Sequence, residues 1–142
     1  MRFYAFGNMY LAGIHAGIQT AHTVHEMFVK YNSVDDDDLK KRILFSWAED
    51  HKTTVVLNGG MQSNLEELYN FFNSPANPYP FAKFHEADFS LNGALTNVGI
   101  ILPEKIYEAA KALRKDSSHD ISHFSEFEKE LVFKINACSL MN

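Results

Sequence analysis

Residues 2–31 read RFYAFGNMYLAGIHAGIQTAHTVHEMFVKY, and the change of period inside this stretch decides the fold class. Phe3 and Ala5 alternate with Tyr4 and Phe6, which suits a first strand, and Gly7 ends it. From Met9 to Tyr31 the period becomes helical, with Ile14, Ile18, Ala21 and Phe28 forming a face expected to seek the core. His15, Gln19, His22 and Glu26 follow one another at helical spacing. At roughly 100° per residue they lie within about 60° of one another. Such a row ordinarily meets water, but Gly13 and Gly17 lie beside it. Each glycine costs a helix about 1 kcal/mol relative to alanine, so something is expected to approach the backbone there.

The same signals extend outward from this strand and helix. A second helix is expected from Leu39 to Asp50, with Ile43, Leu44 and Trp47 inward, preceded by Asp35 to Asp38 as a loop and acidic helix start. Thr53 to Leu57 is β-branched and reads as a buried strand. Ser63 with Glu66 has the capping-box pattern, opening a helix that buries Leu65, Leu68, Tyr69 and Phe72. Pro75, Pro78 and Pro80 force an extended connection into a strand over Phe81 to His85. Asn92-Gly93 signals a tight turn before the apolar strand Thr96 to Leu102. Pro103 opens a helix from its first position, with Ile106, Tyr107, Ala110 and Leu113 inward. Ser125 and Glu128 form a second capping box before a terminal helix, an edge strand being the alternative for LVFKI. The order β-α-α-β-α-β-β-α, with a C-terminal addition, predicts an α/β protein: one layer of four-stranded, mostly mixed sheet flanked by helices. One domain is expected over 1–142, its core spanning about 3–115 and an extension occupying 116–142.

Composition narrows the function. The 142 residues carry a formal charge of -5, and the cations include three arginines, Arg2, Arg42 and Arg114. That lacks the basic footprint of nucleic-acid binding, so a tRNA partner is disfavoured. No membrane span or signal peptide is read, which points to the cytoplasm, that of the host if the chain is viral. Cys138 is alone, and His22, His25 and Glu26 do not have the spacing of a hydrolytic zinc site, so neither a metal nor a cofactor is expected. No serine sits in a GxSxG elbow. Aromatic residues make up 13%, more than one small core readily covers, which predicts a homodimer or larger assembly.

In open α/β sheets ligands bind beyond the strand ends. The candidates there are Asn8, Asn58, Gln62, His85, Glu86, Asp88, Ser90, Asn92 and Thr96, with Asn58-Gly59-Gly60 as a backbone cradle for an anion.

The tract Gly17-Ile18-Gln19-Thr20-Ala21-His22 is similar to the AAQ-x-x-H signature of the second-class, archaeal and eukaryotic-type peptidyl-tRNA hydrolases. WAEDHKTTVVLNGG, the helix Leu65 to Phe72, His85-Glu86-Ala87 and Leu95 to Ile100 follow in the order of that family, and the resemblance covers roughly Phe3 to Arg114. It implies that fold and, if the chain is an enzyme, Gln19, His22 and Glu86 as catalytic residues. The active end departs from the family. Its lysines before the glutamine are absent, His15 standing where the nearest would be. In its D-A-G-R-T loop the acid maps to Glu86, while arginine and threonine become Phe89 and Ser90, with two residues missing. Loss of phosphate-holding cations at both places argues for binding without catalysis.

In size, acidity and aromatic content the chain also resembles small phage proteins that sequester nucleotide signals of host immunity, such as the anti-Thoeris sponges of ADP-ribose-derived messengers. The expected function is therefore non-catalytic sequestration of an ADP-ribose-derived or cyclic nucleotide, an anti-defence role. The expected ligand residues are His15, Gln19, His22, Phe81, His85, Glu86, Phe89, Asn92 and Arg114. A base would stack on Tyr10, Tyr79, Phe81 or Phe89. A peptidyl-tRNA hydrolase is the alternative, and a protein-interaction subunit anchored by exposed aromatics the second.

Overall fold

The central strands β1 (Arg2–Gly7) and β4 (Leu95–Leu102) are buried almost throughout, and the sheet grows outward from that pair. The structure is a computed structural model that describes residues 1–87 and 93–142. Parallel pairing adds β2 (Thr54–Asn58) to β1, antiparallel pairing joins β1 to β4, and β3 (Phe81–His85) pairs antiparallel with β4. The result is a mixed four-stranded sheet in the order β2-β1-β4-β3. The described residues also form α1 (Ile14–Tyr31), α2 (Leu39–Ser46), α3 (Gln62–Phe72), α4 (Glu104–Lys115) and α5 (Glu126–Asn136).

Alternation along β1 separates two layers. Phe3 faces Trp47, at 5.5 Å between ring centroids, and so meets the α1 and α2 side. Phe6 faces Phe72 of α3 at 5.9 Å on the other side, where Phe127 of α5 stacks on Phe71 and α4 borders a cleft with Tyr4 and Leu57. After Ser46 the helix continues as a π turn over Trp47–His51, and Lys52 closes it with φ 59°. Asp38 caps α2 by accepting the Lys41 N–H at 3.1 Å, as the acidic start predicts.

α1 is rotated from the orientation expected. Its buried side carries Ala16, Gln19, Thr20, Thr23, Met27 and Tyr31. Ile14 is 74% exposed, Ile18 44%, and Ala21 is also exposed, so three of the four residues of the expected core stripe face outward and Phe28 alone packs against the core. The sheet explains the reversal by offering polar partners. The Thr23 hydroxyl donates to Asn97 Oδ1 at 2.7 Å. Asn97 Nδ2 donates to Thr20 Oγ1 at 3.3 Å, whose proton goes to the Ala16 carbonyl at 2.8 Å. Buried polar groups satisfied in this way cost little, whereas an unpartnered Asn97 would cost about 1–3 kcal/mol. Gly99 permits the close packing: a Cβ there would overlap the Phe3 ring and press on Thr23 Cγ2. Gly99→Ala is expected to lower stability by about 1–3 kcal/mol, read as a lower urea midpoint.

Three local expectations change. α3 begins at Gln62, and Asn64 rather than a Ser63–Glu66 pair reaches back to the Met61 N–H at 2.9 Å. Pro103 sits one position earlier than expected, as the N-cap of α4. The extension is no appendage to the core, since α5 buries Phe127, Leu131, Val132 and Ile135 within it. Its capping box forms as predicted, with Ser125 Oγ accepting from Glu128 N–H at 3.1 Å and Glu128 Oε1 from Ser125 N–H at 3.2 Å. Residues 139–142 then run along β2: Asn58 N–H donates to the Ser139 carbonyl at 2.8 Å and Met141 N–H to that of Val56 at 2.9 Å.

Candidate functional site

The C-terminal ends of β1 and β3 and the start of β4 lie together under the first half of α1. A bulge between Phe84 and His85 marks the place where regular pairing stops. Gln19, only 7% exposed, is held from both sides there. The Thr96 hydroxyl donates to Gln19 Oε1 at 2.8 Å, and Gln19 Nε2 donates to Glu86 Oε1 at 2.6 Å. A hydroxyl–amide–carboxylate chain thus runs from the buried sheet to a half-buried Glu86, fixing that carboxylate at the surface. A carboxylate with free lone pairs accepts hydroxyl or amino protons from a ligand.

His22 stacks on Phe84 beside this chain, with centroids 4.5 Å apart and planes 19° from parallel. His25 lies 6.2 Å from His22. His85 is exposed, and its Nδ1 donates to the Gly93 carbonyl at 2.9 Å, leaving Nε2 for other partners. An open groove of about 400 Å³ follows the β3 edge, lined by Glu26, Lys30, Tyr69, Lys83, Phe84 and His85. Lys30 Nζ donates to the Phe81 carbonyl at 3.0 Å and sits 3.3 Å from the Phe81 ring centroid. Desolvation there, with smaller repulsions from Lys40 and Lys83, lowers the Lys30 pKa to about 8.

The structure brings together Gln19, Glu86 and Thr96, and adjoining them His22 with Phe84. His15 and Glu26 are exposed on α1, Glu26 lining the groove. Several expected residues are elsewhere. Phe81 is 5% exposed and packs on Tyr69 and Phe72, so it offers no face for a base. Tyr79 is equally buried, its hydroxyl donating to Glu128 at 2.6 Å. Arg114 is on α4, across the sheet from α1, lining a different cleft with Tyr4. Phe89 and Asn92, with Asp88, Ser90 and the turn expected at Asn92, lie outside the described residues. Tyr10 remains open, at 77% exposure.

The Asn58-Gly59-Gly60 cradle does not form. The Gly59 N–H donates to the Gly7 carbonyl at 2.8 Å, that of Gly60 to Asn58 Oδ1 at 2.9 Å, and that of Met61 to Asn64 Oδ1 at 2.9 Å, leaving none for an anion. Gly13 is needed for its φ of 59° at the α1 N-cap, and nothing packs within 4 Å of a Cβ at Gly13 or Gly17.

Thr20, Thr23, Phe84, Lys30 and Lys83 were not singled out from the sequence. Asn97 carried a usable signal, because an asparagine inside the apolar run TNVGIIL requires a buried partner. Among the described residues no three His, Cys, Asp or Glu side chains group as a metal ion would require. None of their helices is long and apolar enough to cross a membrane. The chain matches no protein-family model, and no curated protein is significantly similar to it.

Proposed function

We propose that this protein binds a nucleotide-derived small molecule, without turning it over, where α1 meets the end of β3. The observation that carries this reading is the Thr96–Gln19–Glu86 chain, which uses two buried groups to aim one accessible carboxylate. In nucleotide sites such a carboxylate accepts ribose hydroxyl protons. The exposed imidazole of His85, the half-buried one of His22 and the ammonium of Lys83 supply donors around it for base edges and phosphate. The adjoining groove, about 400 Å³ in volume, suits a mononucleotide or an ADP-ribose-sized ligand, within the usual range of about 300–1,000 Å³. A sequestering role, such as capture of a host immune signal by a phage protein, is the role we assign to binding without chemistry, on the resemblance in size, acidity and aromatic content. Calorimetric titration with ADP-ribose derivatives and cyclic oligonucleotides tests it: saturable heat at one site per chain, with the ligand recovered intact, is expected. Absence of heat with all of them would overturn it.

A peptidyl-tRNA hydrolase is the second reading, favoured by the contact of Gln19 with Glu86, two of the positions the family resemblance assigns. A fold like that of the second-class hydrolases is in keeping with the mixed sheet. Against activity stand the amide, rather than a histidine, on Glu86, and His22 lying on a phenyl ring. Robust peptidyl-tRNA cleavage lost on His22→Ala would put this reading first.

The homo-oligomer belongs to the same proposal. The outermost line of α1 is Ile14, Ile18, Ala21, His25 and Val29, all exposed, with Val29 at 71%. It holds no acidic residue, so two chains of charge -5 can meet through it. An antiparallel two-fold contact centred on the small Ala21 sets Ile14 against the second copy's Val29 and Ile18 against its His25. Sedimentation at micromolar concentration is expected to show a dimer, and Ile14→Glu with Ile18→Glu a 16.2 kDa monomer. A wild-type protein that sediments only as the monomer contradicts this.

A further inference from the structure

The cleft that holds Arg114 is on the opposite side of the sheet from the site above. About 290 Å³ in volume, it lies between β1, β2, α4 and the tail, and three cations line it: Arg2, Lys111 and Arg114. None of the three has a carboxylate within salt-bridge distance among the described residues, although Glu108 also lines the cleft. In a chain whose acids outnumber its bases by 18 to 13, three cations gathered in one cleft, none of them ion-paired among the described residues, require an explanation.

Their geometry is built. The Arg2 guanidinium lies 3.9 Å from the Tyr107 ring centroid and beside the hydroxyl of Tyr4, a residue 4% exposed. Arg114 Nη1 donates to Asn136 Oδ1 at 2.8 Å, and Asn136 is fixed in turn by donating to the Ala110 carbonyl at 3.0 Å. Each guanidinium therefore has one side anchored and further N–H groups unspent, since the group carries five donors. Two positioned guanidinium forks and an ammonium are the donor set that phosphate oxygens take in bidentate fashion. Val55, Leu57 and Leu140 supply an apolar part of the wall, beside Tyr4 and Tyr107.

We infer that this cleft is a second binding site, for a small phosphomonoester with a compact apolar or aromatic body, its phosphate held by Arg2, Lys111 and Arg114. Its volume is at the lower limit of ligand pockets, about 300 Å³, so it admits a phosphate with one ring and excludes a dinucleotide. The site is independent of the Glu86 groove.

Titration of the full chain with phenyl phosphate, inorganic phosphate and benzyl alcohol, followed by amide NMR shifts, tests the assignment. Phenyl phosphate is expected to saturate shifts at Tyr4, Tyr107, Lys111 and Arg114; inorganic phosphate binds about tenfold more weakly, and benzyl alcohol not at all. Lys111→Gln and Arg114→Gln alter exposed residues, so the fold is retained, and the pair is expected to weaken phenyl phosphate at least tenfold. Gln19→Leu is expected to leave it unchanged, which separates this site from the groove. Shifts that do not saturate, or an affinity untouched by the Lys111 and Arg114 changes, would overturn the inference.

Discussion

Glu128→Ala is expected to lower stability at pH 7 by about 2–4 kcal/mol, and to remove much of the protein's sensitivity to mild acid. Burial opposes ionisation of this carboxyl. The Lys105 ammonium at 2.7 Å, the Tyr79 hydroxyl at 2.6 Å and the Ser125 N–H outweigh it, holding the pKa down at about 2. An unfolded glutamate titrates near 4.3, so folding favours the ionised form. That contribution is complete above about pH 5, and is lost as pH falls through 4 toward 2; it amounts to roughly 2–3 kcal/mol. The alanine variant also strands the buried Tyr79 hydroxyl, whose own pKa is pushed well above its usual value, by burial first and by Glu128 second. Urea midpoints measured from pH 7 to pH 3 should fall more steeply for the wild type than for the variant. Parallel acid slopes would show that Glu128 is not the group responsible.

Gln19→Leu is expected to weaken nucleotide binding about ten- to a hundredfold while leaving the chain folded. The amide donates to a carboxylate at 2.6 Å and accepts from Thr96 at 2.8 Å. A hydrogen bond to a charged group is worth about 1.5–3 kcal/mol. The leucine leaves Glu86 free to turn into water and the Thr96 hydroxyl to donate to the Phe84 carbonyl, 3.4 Å away, so its cost falls on the orientation of the carboxylate more than on the core. Circular dichroism unchanged from wild type, with a reduced calorimetric affinity, is the expected result. Wild-type affinity in the variant would remove the Thr96–Gln19–Glu86 chain from the binding account.

The strands and helices were legible because period and punctuation agree along most of the chain: alternation then glycine at Gly7, β-branching at 54–56, and a full capping box at Ser125. The rotation of α1 was not. Hydrophobicity assigned Ile14 and Ile18 to the core, and the deciding information lay some 77 residues away in Thr96 and Asn97, which offer the helix polar partners. The contact of Gln19 with Glu86 was not legible either, because no local period relates residues 67 positions apart. Arg114 was misplaced for a topological reason: a sequence shows that α4 follows β4, but not which side of the sheet it covers. Phe81 and Tyr79 looked like free rings because nothing local distinguishes a stacking aromatic from a core one; α3 and Glu128 claim them.

Native mass spectrometry of the protein purified from cells tests the central claim most directly. A retained, chemically intact nucleotide-like mass on the wild type, absent from Glu86→Gln prepared in the same way, is the predicted result. A wild-type spectrum with no such adduct, from cells in which the nucleotide pool is present, would contradict it.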